Sequence, residues 1–184
     1  MKKEQTHICP ASGAVGLDNA LRKLVHNPQK ILNPFIKEGM TVLDIGCGPG
    51  FFSLEAAKML YGTGKVIAAD VQAEMLEIIR KKIKGTALQQ TVELHQSDFE
   101  HIGVAEKVDF VLACWMVHEV RNQECFFEEL AAILKPNGRI LIIEPKIHVS
   151  KKAFNAMVDS IKERGFTIVE SPKVFFSRAI VLSK

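Results

Sequence analysis

The chain has 184 residues, 47% of them hydrophobic and 24% charged, with a formal net charge of +3. This length and balance fit one soluble domain that can bury a core, and they do not read as a disordered chain. The lysines and arginines are scattered, which favours a surface of mixed charge over a nucleic-acid patch.

The first ten residues, MKKEQTHICP, carry two lysines but no apolar run after them, so they do not read as a secretory signal. No stretch reaches the ~18 consecutive apolar residues of a membrane span. Cys9, Cys47, Cys114 and Cys125 form no C-x-x-C pair and no zinc spacing, so reduced thiols, no metal and a cytoplasmic location are expected.

Leu17, Ala20, Leu21, Leu24 and Val25 recur at helical spacing. Asn27-Pro28 predicts a new helix start, with Asn as cap and Pro in the first turn. Ile31, Leu32, Phe35 and Ile36 continue its apolar face, and Gly39 can end it. An alternation follows. Strands are predicted at Thr41–Gly46, Lys65–Val71, Thr91–His95, Val108–Ala113 and Arg139–Ile143. Helices are predicted over Phe51–Leu60, around Met75–Ile83, along the Phe126–Leu134 stripe that KPNG stops, and from Phe154 to near Gly165. Two strand-like runs, Phe166–Val169 with room to extend to Phe176, and Arg178–Ser183, close the chain without a helix between them. The expected fold is therefore α/β. A seven-stranded, mostly parallel sheet carries helices on both faces, and a C-terminal hairpin turns the last strand antiparallel.

The stretch VLDIGCGPGFF, Val42 to Phe52, joins the first strand to the helix after it. In such a sheet, ligands bind beyond the carboxyl ends of the strands. Gly46, Gly48 and Gly50 let the backbone turn tightly and approach a ligand. A dinucleotide fingerprint would be G-x-G-x-x-G, but the spacing here is G-x-G-x-G, with Phe51 where the third glycine would fall. This disfavours a nicotinamide cofactor.

VLDIGCGPGFFS resembles the first motif of the class I S-adenosylmethionine-dependent methyltransferases. VIAADVQAEML, SDF, VDFVLA, ILKPNGRILIIEP and the closing hairpin follow in that family's order, so the resemblance covers Thr41 to Lys184. It is closest to small-molecule methyltransferases of the quinone-biosynthesis type, and it implies a Rossmann-like core over residues 41–184. Residues 1–40 would be an N-terminal helical segment that can cover the active site, with Arg22 and His26 facing in, or else pack on the sheet edge.

The resemblance implies S-adenosylmethionine as cofactor. Asp44, Gly46, Cys47, Gly48 and Gly50 would surround its methionine end, with Asp44 near the ammonium or else capping the loop. Asp70, about 20 residues past the glycines, would accept hydrogen bonds from the ribose diol. Val71 would pack near the adenosine, Asp98 would accept from the adenine amino group, and Phe99 would flank the ring.

Methyl transfer needs a positioned nucleophile and sometimes a base. The fourth strand runs into CWMVHEV, where this family places the transferred methyl. Cys114, Trp115, His118 and Glu119 are the candidates there, with His118 suited to act as base near neutral pH. Glu144 and His148, after the fifth strand, are candidate substrate contacts. HEVRN lacks the second histidine of a zinc protease. CWMV replaces the Asn/Asp-Pro-Pro-aromatic run of the family's exocyclic-amine methyltransferases, which disfavours that chemistry. A small-molecule acceptor is expected rather than nucleic acid, and a homodimer stays open. The rival readings are an NAD-type oxidoreductase and a non-catalytic subunit that only binds S-adenosylmethionine.

Overall fold

The computed structural model describes residues 26–184. The predicted helix over Leu17–Val25 lies outside them.

Asn27 caps the first helix, α1 (Pro28–Leu32), by accepting from the Lys30 N–H at 3.0 Å, with Pro28 in the first turn. The helix is shorter than its apolar pattern: Phe35 and Ile36 are buried just beyond its end. Then come β1 (Thr41–Ile45), α2 (Ser53–Met59), β2 (Lys65–Asp70), α3 (Ala73–Ile83), β3 (Val92–Gln96), β4 (Val108–Cys114), α4 (Gln123–Ile133), β5 (Leu134–Pro145), α5 (Lys151–Glu163), β6 (Thr167–Glu170) and β7 (Ser177–Ser183). Two short 3₁₀ turns, Ala87–Gln90 and Val117–Glu119, sit in the connections.

The strands form one seven-stranded sheet in the order β3-β2-β1-β4-β5-β7-β6. β1 to β5 pair in parallel, and β7 inserts antiparallel between β5 and β6. Strand alternation sends Leu43, Ile67, Val111, Ile140 and Leu182 to one face, where Phe127 and Leu130 of α4 and Ile161 of α5 cover them. Val42, Val66, Phe110, Leu141 and Val181 go to the other, under Leu32 of α1, Ala56 of α2 and Ile79 of α3. Phe35 stacks on Phe110 with ring centroids 5.5 Å apart.

Asp109, the one charge in β4, accepts from the Thr41 N–H at 2.8 Å and pairs with Lys135 at 2.7 Å, so it ties three strands together at their starts. The chain order reverses between β1 and β4, which opens a crevice beyond their carboxyl ends.

Candidate active site

A cavity of about 810 Å³ occupies that crevice. Its first wall is the turn from β1 into α2. Gly46 and Cys47 donate backbone N–H groups to the Ala69 carbonyl at 2.8 and 3.0 Å, which folds the turn back onto the end of β2. Gly46 has a φ of +69°, and a Cβ there would come within 2.8 Å of Met116 Cβ. Gly48 has a φ of +53° and faces open space. Asp44 is buried at the end of β1, where its carboxylate accepts from the Ser53 hydroxyl at 2.5 Å.

Asp70 ends β2 and is 6% exposed. It accepts from the Gly48 N–H at 2.8 Å and the Gln72 N–H at 2.9 Å, one on each oxygen. Burial pushes its carboxyl up, and these backbone donors oppose the shift. An ionised carboxylate has about four acceptor sites, so the two bonds leave room for a diol. Asp98, after β3, accepts from the Glu100 and His101 N–H groups, which hold its carboxyl below the usual range. Phe99 is 48% exposed at the cavity edge, with the Arg121 guanidinium 5.0 Å from its ring centroid.

The end of β4 forms the opposite wall. Trp115 turns out of the strand in the left-handed region, with a φ of +60°, a conformation costing about 1–3 kcal/mol in a non-glycine residue. Its indole N–H donates to the Ser177 hydroxyl at 3.1 Å, and its ring meets His26 edge-on at 5.1 Å. The short helical turn that follows presents His118 and Glu119 to the cavity.

His118 Nδ1 lies 2.5 Å from Glu144 Oε2, while the other Glu144 oxygen accepts from the Val117 N–H at 2.9 Å. The bond to Glu144 holds the His118 imidazole above its ordinary range, against burial, which pulls it down. Burial pushes the Glu119 carboxyl up, and His118 counters part of that shift. His148 stacks over His118 with centroids 5.9 Å apart.

Asp44, Gly46, Cys47, Gly48, Asp70, Val71, Asp98, Phe99, Cys114, Trp115, His118, Glu119 and His148 thus converge on one cavity. Three of the expected contact residues do not line the cavity. Gly50 lies behind the turn, where a Cβ would meet Ile79 at 2.9 Å. Glu144 is fully buried, and both of its oxygens face the protein backbone or His118. His26 is buried beside Trp115, with a ring nitrogen 2.8 Å from the Phe175 carbonyl. Arg22 lies outside the described residues. Sequence reasoning missed Met116 and Arg121, which line the cavity. Their position within and just after CWMVHEV was the available signal.

These residues fit the cofactor of the resembling family: an open glycine cradle, a ribose-type acid with spare acceptor sites, and a buried second carboxylate. A methyltransferase domain family model matches residues 36–173. A ubiquinone/menaquinone biosynthesis C-methyltransferase of Haemophilus ducreyi is 29% identical over 140 residues, 76% of this chain and 52% of that protein. A demethylmenaquinone methyltransferase of Lactobacillus johnsonii is 30% identical, over 71% of this chain and 52% of that protein. The chain thus spans about half the length of these relatives. The crystal structure of a SAM-dependent methyltransferase from Aquifex aeolicus superposes with a TM-score of 0.85 at 29% identity, covering 95% of this chain and 98% of that one. Fold, cavity and likeness agree: the chain belongs to the methyltransferase domain family, as a class I S-adenosylmethionine-dependent member.

Proposed function

We propose that the protein transfers a methyl group from S-adenosylmethionine to a small-molecule acceptor, with His118 as general base. The observation that carries this reading is the pair of walls facing each other across the β1/β4 crevice. One is the glycine turn tied to Asp70, and the other is His118 backed by buried Glu144. The cofactor supplies a methyl on a sulfonium, whose sulfur leaves with the bonding electrons.

The chain's residues do the rest. The Gly48 N–H orients the Asp70 carboxylate, whose remaining acceptor sites suit a ribose diol. Asp44 places negative charge by the glycine turn, suited to an ammonium. Asp98 and Phe99 form the far edge, suited to adenine. At 810 Å³ the cavity sits high in the range of about 300–1,000 Å³ usual for ligand sites, so it has room for a cofactor and an acceptor together.

Glu144 fixes the proton on His118 Nδ1, which leaves Nε2 as the nitrogen able to take a proton from an acceptor. Trp115, Met116, Val120 and Pro145 give the acceptor side an apolar lining. The names of the two sequence relatives support a quinone-type acceptor. The expectation of residues 1–40 as a cover over this site belongs to the same reading: His26 enters beside Trp115.

Calorimetric titration tests this. S-adenosylhomocysteine should bind one to one, and NADH should give no heat on the same preparation. NADH binding without S-adenosylhomocysteine binding would sink the reading.

A further inference from the structure

At the edge of the main cavity, which His101 itself lines, a second group of side chains gathers where the β3–β4 loop meets the first turns of α4. His101 comes from the loop; Cys125 and Glu129 stand one turn apart on α4. One ligand atom from each lies within 4.8 Å of the other two. His101 Nδ1 is 2.7 Å from Glu129 Oε1, and Cys125 Sγ is 3.6 Å from the same oxygen.

We propose that His101, Cys125 and Glu129 form a binding site for a borderline-soft divalent cation of the zinc class. An imidazole, a thiolate and a carboxylate are the ligand types that such ions take, at about 2.0–2.3 Å, with water completing a tetrahedron. Those bond lengths set ligand atoms roughly 3.3–3.7 Å apart. The sulfur–oxygen pair already has that separation, and the hydrogen-bonded histidine needs to retreat by about 0.6 Å. Once the thiol gives its proton to solvent, the thiolate and carboxylate carry two negative charges, which a divalent ion neutralises.

The frame is partly built. The other Glu129 oxygen accepts from the Ile102 N–H at 2.8 Å, which fixes the carboxylate. The Asn122 side chain caps α4 by accepting from the Cys125 N–H at 3.1 Å, which fixes the start of the helix. Burial and the nearby Glu129, Glu128 and Glu100 charges push the Cys125 thiol up, so an incoming ion has to displace its proton. The side chain of His101 is 62% exposed, so an ion can enter. A bound ion would staple the loop carrying Asp98 and Phe99 to α4, at the edge of the main cavity.

The test is cobalt(II) titration of tag-free, full-length protein under a non-thiol reductant, followed by absorption. A thiolate-to-cobalt charge-transfer band should grow to one equivalent, and zinc(II) should bleach it. Cys125→Ser should abolish the band, and His101→Ala should weaken binding by about tenfold or more. Circular dichroism of both variants should match the parent, since the three side chains are partly exposed. No band in the parent, an undiminished band in Cys125→Ser, or unchanged affinity in His101→Ala would each overturn the site.

A second arm rests on the proposed cofactor reading. Zinc(II) should tighten S-adenosylhomocysteine binding several-fold in the parent and leave Cys125→Ser unaffected. The cobalt spectrum needs no cofactor, so failure of the metal site and failure of the cofactor reading remain distinguishable.

Discussion

Two buried carboxylates at the strand ends behave differently because their partners differ. Glu144 holds His118 protonated to higher pH than a free imidazole. If His118 must be neutral to accept a proton, methyl transfer should rise with pH through a midpoint above the ordinary histidine value of about 6.5. Glu144→Gln keeps an acceptor for the Val117 N–H but removes the charge, so the rising limb should move to lower pH. A limb that stays put would remove the dyad from the mechanism. The same raised value has a stability sign. The His118–Glu144 contribution is full below the unfolded value and is lost as pH rises through the folded one. Melting curves across that window should therefore show the parent losing stability relative to Glu144→Gln. Asp44 instead depends on a neutral donor. Ser53 is fully buried against it, so Ser53→Ala leaves a buried carboxylate short of a hydrogen bond. The expected loss is about 1–3 kcal/mol, or about 2–12 °C in Tm for a chain of this size.

At the scale of elements, the turn between β1 and α2 separates folding from binding. Gly46 and Gly48 both have positive φ, which costs an L-residue roughly 1–2 kcal/mol. A Cβ on Gly46 would also strike Met116, whereas one on Gly48 would project into open cavity. Gly46→Ala should therefore lower Tm well beyond Gly48→Ala. Gly48→Ala should keep most of the stability and lose S-adenosylhomocysteine affinity by about tenfold or more, about 1.4 kcal/mol per tenfold. Equal Tm losses in the two variants would contradict this division.

Periodicity made most elements legible because apolar alternation and helical stripes are properties of single segments. The start of β5 was not legible. Leu134 continues the apolar stripe of α4, yet it pairs with Val108 in the sheet. A register shift, with Asn137 at a φ of +65°, carries the strand through KPNG. Glu144, a candidate substrate contact by sequence, is buried against the Val117 N–H and His118. An acid before proline at a strand end gives no sign of burial in sequence. There β7 inserts beside β5 and sets Arg178 opposite Glu144 in the backbone register. The glycines were legible because their spacing encodes a tight turn, and Asp70 through the likeness of VIAADVQAEML to the second motif of the family.

For the whole molecule, the cavity draws its walls from segments that the chain order separates. β1 and β2 supply Asp44, the glycine turn and Asp70, whereas β4 and the turn after it supply Trp115 and His118. A ligand that touches all of them joins both halves of the sheet, and one that binds only the folded state stabilises it by mass action. At a free concentration 100-fold above Kd, that stabilisation is about 2.7 kcal/mol. For a chain of this size it should raise Tm by about 5–10 °C. Asp70→Ala removes the acceptor for the Gly48 and Gln72 N–H groups and for the proposed diol together, so it should lower the unliganded Tm as well. Asp70→Asn separates the two effects, because it keeps one carbonyl acceptor near the loop while losing the charge. Scanning melts of the parent, Asp70→Ala and Asp70→Asn with S-adenosylhomocysteine should show the full shift only in the parent. A full shift in Asp70→Ala would place the ribose elsewhere in the cavity and transfer its assignment away from the end of β2.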